Sequence, residues 1–147
     1  MELNKFHKVK IKDICTWERS KKEKIYPAGS WCVQVSATKG QMIYLNEASE
    51  VDSKYCVFIL TTEDYIPEYV YIMFKNNLQQ FLNKVQTGLN IVPEVFEEYE
   101  IELHDDISTQ DSICKTMRYL DERIDQEERI IAKCKELKRY HSGKMFF

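Results

Sequence analysis

The last forty residues place the strongest constraint on this chain. From Ser108 to Phe147 neither Gly nor Pro intervenes until Gly143. Ile113, Met117, Leu120 and Ile124 are spaced four, three and four apart, which puts them on one face of a helix. The stripe falters at Glu127 and resumes with Ile130, Ile131, Cys134 and Leu137. Ser108, followed three residues later by Asp111, has N-cap chemistry, and Gly143 has the chemistry of a stop. A helix of about 30 residues is roughly 45 Å long. It cannot bury such a stripe on itself, so the pattern predicts a partner helix.

Ahead of that helix the apolar pattern is mixed. Val9 and Ile11 alternate with lysines and predict a short strand that turns at Asp13. Trp17–Lys24 reads as a polar, mostly basic loop. Trp31, Val33 and Val35 predict a strand with one apolar face, Met42–Leu45 another, and the continuous run Tyr55–Leu60 a buried one. Pro67 suits a helix start, and two helices are expected, over about 67–76 and 78–84. A helical turn at Val92-Pro93-Glu94 and a strand through Tyr99, Ile101 and Leu103 follow. The expected fold class is α+β: a globular domain, residues 1–104, with a small mixed or antiparallel sheet and short helices. One long C-terminal helix, 105–147, comes after it.

Composition narrows the function. Charged residues make up 31% of the 147, an ordinary globular share. No apolar run approaches the ~20 residues of a membrane helix, and the N-terminus has no apolar signal core, so a cytoplasmic protein without a membrane partner is expected. The five cysteines form no C-x-x-C pair and read as free thiols. Charge is segregated. Residues 1–45 carry nine Lys/Arg against four Asp/Glu, residues 46–106 three against thirteen, and residues 107–147 nine against seven. A net charge of −3 does not suit a general nucleic-acid binder, so any DNA contact must be local.

No G-x-S-x-G, H-E-x-x-H or P-loop pattern occurs, and the carboxylates around Glu94–Glu102 read as a solvated edge. A non-enzyme without catalytic residues, metal or cofactor is expected. Three polar stretches carry groups that contact DNA: Arg19, Lys21, Lys22 and Lys24; Ser36, Thr38, Lys39 and Gln41; Gln86, Thr87 and Asn90. Lysines neutralise phosphates, and Gln, Asn, Ser and Thr hydrogen-bond to base edges. On composition alone these stretches read first as solvated loops.

The order of the motifs changes that reading. From Val9 to its end the chain resembles the DNA-specificity subunit of type I restriction–modification systems. The resemblance rests on Val9-Lys10-Ile11-Lys12-Asp13-Ile14, then Gln86-Thr87-Gly88-Leu89-Asn90 and Pro93-Glu94-Val95-Phe96. Ile101-Glu102-Leu103 follows, with Gln110, Ile113, Leu120-Asp121 and Ile124 in a spacer helix, and the tail from Leu137 to Phe146. His104 and Asp105 depart from the family's proline-rich joint. The resemblance implies a half-length subunit with one target-recognition domain and one spacer helix. It implies double-stranded DNA, methylation subunits and a restriction subunit as partners. A homodimer would restore the twofold arrangement, with Ile113, Met117, Leu120, Ile124, Ile131 and Cys134 as its seam. Arg118, Arg123 and Arg129 are candidate contacts for methylation subunits. The competing reading is a coiled-coil interaction protein, or decoy, that holds methylation subunits without reading DNA.

Overall fold

The computed structural model describes residues 5–36, 40–85, 88 and 90–145. Its elements run β1 (Phe6–Lys10), α1 (Ile11–Ile14), β2 (Cys15–Arg19), β3 (Ile25–Tyr26), β4 (Trp31–Gln34), β5 (Met42–Tyr44), β6 (Ser49–Glu50) and β7 (Tyr55–Leu60). Then come α2 (Pro67–Val85), a 3-10 helix (Pro93–Glu98), β8 (Glu100–His104) and α3 (Ile107–Met145). The α+β class holds, and every strand pairing among the described residues is antiparallel. Contacts divide the chain into two compact units, Met1–Asp111 and Ser112–Phe147. The division falls inside α3, because the first turn of the helix is bonded into the first unit through Gln110.

Four strands form the main sheet in the order β2-β7-β4-β5. Residues directly opposite in an antiparallel pair share a face, and faces alternate along a strand. Cys32 pairs with Val57, and Gln34 with Tyr55, on one face; Trp31 and Trp17 both pair with Phe58 on the other. The first face is covered by Tyr26, Leu45 and Val51 from the β3–β6 arm. The second is covered by rings from α2 and the 3-10 helix. Phe58 stacks on Trp31 at 6.0 Å and on Trp17 at 5.7 Å, and meets Phe74 at 4.9 Å and Phe96 at 5.0 Å edge-on. Such offset and edge arrangements suit the charge distribution of aromatic rings.

This double cover explains several departures from the expected pattern. β4 is buried at all four positions instead of on one face. Trp17–Arg19 is strand, not loop, because β2 finds a free edge of β7. A two-residue strand, Ser49–Glu50, lies between the expected strands Met42–Leu45 and Tyr55–Leu60 and pairs with β3. α2 is one helix of 19 residues, not two short ones: Phe74, Leu78 and Leu82 continue a single buried stripe. At the far end, the expected strand through Ile11 stops at Lys10, and Ile11–Ile14 turns helical with Ile11 and Ile14 buried.

The long helix also starts differently. Asp106, not Ser108, caps it: its Oδ2 accepts from the backbone N–H of Thr109 at 2.9 Å and from the Thr109 hydroxyl at 2.7 Å. Those bonds hold the Asp106 carboxyl below its ordinary pKa. Gly143 does not end the helix, which runs to Met145. Phe58→Ala is expected to destabilise the protein by about 3–5 kcal/mol, since it removes a fully buried ring from the middle of a ring cluster. Urea unfolding would show a lower midpoint with little change in slope.

Candidate nucleic-acid interface

Strand directions bring the polar stretches to one end of the main sheet. β2 finishes at Arg19, opposite Cys56 near the start of β7. β4 finishes at Gln34, opposite Tyr55. β5 starts at Met42, opposite Val33. The segment leaving β2, the β4–β5 loop and the entry to β7 therefore share that end. The backbone N–H of Ile91 donates to Val35 O at 2.8 Å, and so joins the segment after Asn90 to the β4–β5 loop.

The described residues Ser36 and Asn90 thus flank a bonded pair, Val35 and Ile91. Ser36 is half-buried and Gln41 and Asn90 are exposed. The Ser36 carbonyl accepts from Gln34 Nε2 at 2.9 Å, and the Gln41 carbonyl accepts from Gln34 N–H at 2.8 Å. Gly40, at φ +70°, closes the loop against α2; a Cβ there would lie 3.2 Å from Leu82 Cδ1. Thr38, Lys39, Gln86 and Thr87 lie outside the described residues.

The first stretch sits at the same sheet end but on the opposite edge. Three strand spacings, roughly 14 Å, separate β2 from β5. Arg19 Nε donates to Ser53 O at 2.9 Å. Lys21 and Lys24 both pair with Glu18, at 3.2 Å and 2.5 Å. The Tyr26 hydroxyl donates to the same carboxylate at 2.9 Å, and Lys24 Nζ lies 5.1 Å from the Tyr26 ring centre. Lys24 first, then Tyr26, hold the Glu18 carboxyl down from the usual 4.5 to about 2. One carboxylate therefore offsets two of the four cations read as phosphate contacts, and Lys22 remains exposed beside Glu50 and Asp52. Glu18 carries no local sequence signal for this role; only the register that sets it beside Tyr26 exposes it. Sequence reading also missed Lys54, whose carbonyl accepts from Val35 N–H at 3.0 Å between the two loop groups.

The residues expected to form a seam are on the second unit. Ile113 and Met117 are half-buried; Leu120, Ile124, Ile131 and Cys134 are exposed. Arg123 pairs with Glu127 at 3.4 Å and Arg129 with Asp125 at 2.8 Å, each along the helix itself. The other four cysteines are buried free thiols, and burial pushes Cys15 and Cys56 up to about 12 and Cys32 to about 11. Among the described residues no helix is long and apolar enough to cross a membrane.

Residues 16–136 match the model of the type I restriction modification DNA specificity domain, so the chain belongs to that family. Three solved structures share the fold. The S subunit of a type I restriction–modification system from M. genitalium superposes with a TM-score of 0.66 at 10% identity, covering 87% of this chain and 42% of that one. A structure solved for the assembly and conformational transition of the type I R-M system gives 0.74 at 13% identity, covering 91% and 43%. The HsdS subunit from Thermoanaerobacter tengcongensis gives 0.64 at 12%, covering 84% and 39%. The chain thus spans about two fifths of the length of these proteins. No curated protein matches it in sequence.

Because Glu18 is depressed in the folded state, the stability it contributes is present above the ordinary carboxylate range and is lost as pH falls from about 4.5 toward 2. Glu18→Gln is expected to lower the thermal midpoint at neutral pH and to converge with the native chain by pH 2. A gap that persisted at pH 2 would mean the carboxylate charge is not what holds Lys21 and Lys24.

Proposed function

We propose that the chain is a half-length DNA-specificity subunit: it reads one half-site of duplex DNA and carries the methylation subunits, and a restriction subunit, of its system. What supports this reading is that Arg19, Gln41 and Asn90 lie around one end of the main sheet, in a chain whose family match runs from β2 into the long helix. Phosphate contacts from Lys22, Lys39 and Lys54 position the domain, and amide and hydroxyl groups of the β4–β5 and post-α2 loops touch base edges. The chain itself does no chemistry; it acts in the cytoplasm and selects where its partners act. A decoy that only binds methylation subunits is less favoured, because the family match extends over the recognition domain as well as the helix.

The long helix supports pairing with a second copy. Leu120, Ile124 and Ile131 are all 45–56% exposed, and their spacing keeps them on one face. Each such side chain contributes about 1.5–3 kcal/mol when fully buried. An antiparallel pair would set two recognition domains on inverted half-sites, with the break at Glu127 near the crossing. Arg118, Arg123 and Arg129 remain candidates for docking the methylation subunits.

Two outcomes follow. In cells carrying the chain with its methylation subunits, exchanging residues 15–90 for those of another family member should move adenine methylation to a different sequence. An unchanged methylation pattern would defeat the assignment. Leu120→Asp with Ile124→Asp should convert a dimer to a monomer in light scattering while the thermal transition of the globular unit stays in place.

A further inference from the structure

Between Glu68 and Glu94 the chain has no acidic residue, although thirteen of its acids fall within residues 46–106. That interval contains α2, which sequence patterning treats only as a buried stripe. Its other face is exposed and carries Lys75, Asn76, Gln79 and Asn83. These positions follow one another at helical spacing, so they form one stripe along the last three turns.

α2 runs toward the end of the sheet described above. Its first residue, Pro67, lies against Gly29, 3.3 Å from a Cβ built there, at the end of the sheet where β4 begins. Its last turns lie against Gly40, through Leu78 and Leu82. A Cβ at Gly40 would also stand 4.0 Å from Gln79 Oε1, so Gln79 borders the β4–β5 loop directly. The exposed stripe is therefore continuous with that loop and leads into the segment that ends at Ile91.

Gln79 and Asn83 are organised. Gln79 Nε2 donates to Asn83 Oδ1 at 3.0 Å, one helical turn apart. That bond occupies the Asn83 acceptor and one Gln79 hydrogen. It leaves the Gln79 Oε1 acceptor and the Asn83 NH2 donor, held side by side by the helix. Adenine presents the complement in the major groove, an N6 donor beside an N7 acceptor. Guanine presents two acceptors, so its O6 would face Gln79 Oε1 with no hydrogen between them. Lys75 adds a cation for the adjacent phosphate, and the lack of acidic side chains along the stripe removes the repulsion found elsewhere on this chain.

The geometry points to the exposed stripe of α2 as a base-reading surface in the major groove, with Gln79 and Asn83 together specifying an adenine and Lys75 contacting a phosphate. This rests on the specificity-subunit reading and adds to it a helix face and a base. The Gln79–Asn83 pair determines specificity at one position; Lys75 contributes affinity at all sequences.

The test uses the full chain assembled with its methylation subunits. A random-sequence duplex pool is first selected for retention, and the retained duplex is then altered one base pair at a time in competition binding. Gln79→Ala with Asn83→Ala should lose roughly 5- to 150-fold discrimination at a single A·T pair, while other positions and non-specific affinity stay as they are. Lys75→Ala should weaken all duplexes alike and reduce the salt slope by about one. All three side chains are exposed, so thermal midpoints should not change, and that control separates a lost contact from a lost fold. A double variant that discriminates at every position as the native complex does would overturn the inference while leaving the function standing. A native complex that retains no sequence would overturn both.

Discussion

The structure depends on the burial of β7 from both sides. Tyr55 and Val57 face the β3–β6 arm, and Cys56 and Phe58 face α2 and the 3-10 helix. With both faces apolar, neither can meet water. The chain must therefore supply two covers, and it does so from separate segments: the β3–β6 arm on one side and a helix from 67–85 on the other. Once both faces are closed, polar loops can leave only at the sheet ends. That is why residues as far apart as Arg19, Gln41 and Asn90 lie around one end of a single sheet.

The joint before α3 is held by a different kind of interaction. Gln110 is fully buried, and its amide is used at both ends. Oε1 accepts from Ile66 N–H at 2.9 Å, just before α2, and Nε2 donates to the His104 carbonyl at 2.8 Å, at the end of β8. A buried amide is costly unless satisfied, whereas one that satisfies two main-chain groups fixes their positions. His104 stands where a proline-rich joint would be expected. The Tyr69 hydroxyl accepts from its backbone N–H at 2.8 Å and is hydrogen-bonded to its Nδ1 at 2.7 Å. Two side chains thus do locally what restricted backbone angles would otherwise do.

Charge is arranged to avoid indiscriminate attraction. On β1 and β8, Lys8 stands opposite Glu102 and Lys10 opposite Glu100, so those charges are matched across strands. Glu18 holds two lysines of the basic segment. Non-specific DNA affinity scales with the number of phosphates neutralised, so each cation held by a carboxylate lowers that term.

The sequence by itself determined the long helix, the buried strand Tyr55–Leu60, the turn at Pro93 and the α+β class, because each rests on a local period or a backbone restriction read within a few residues. It also identified the loops whose order marks the family. It placed the N-cap two residues late and split α2 in two, because Asp106 and Ser108 have equal local credentials and Leu78 reveals its buried side only against Gly40. The partners of Glu18, the double burial of β4 and the exposed stripe of α2 were decided only by tertiary structure. Each depends on strand register and on which face a distant segment covers, and hydrophobic burial, being non-directional, leaves that choice to the packing of the whole unit.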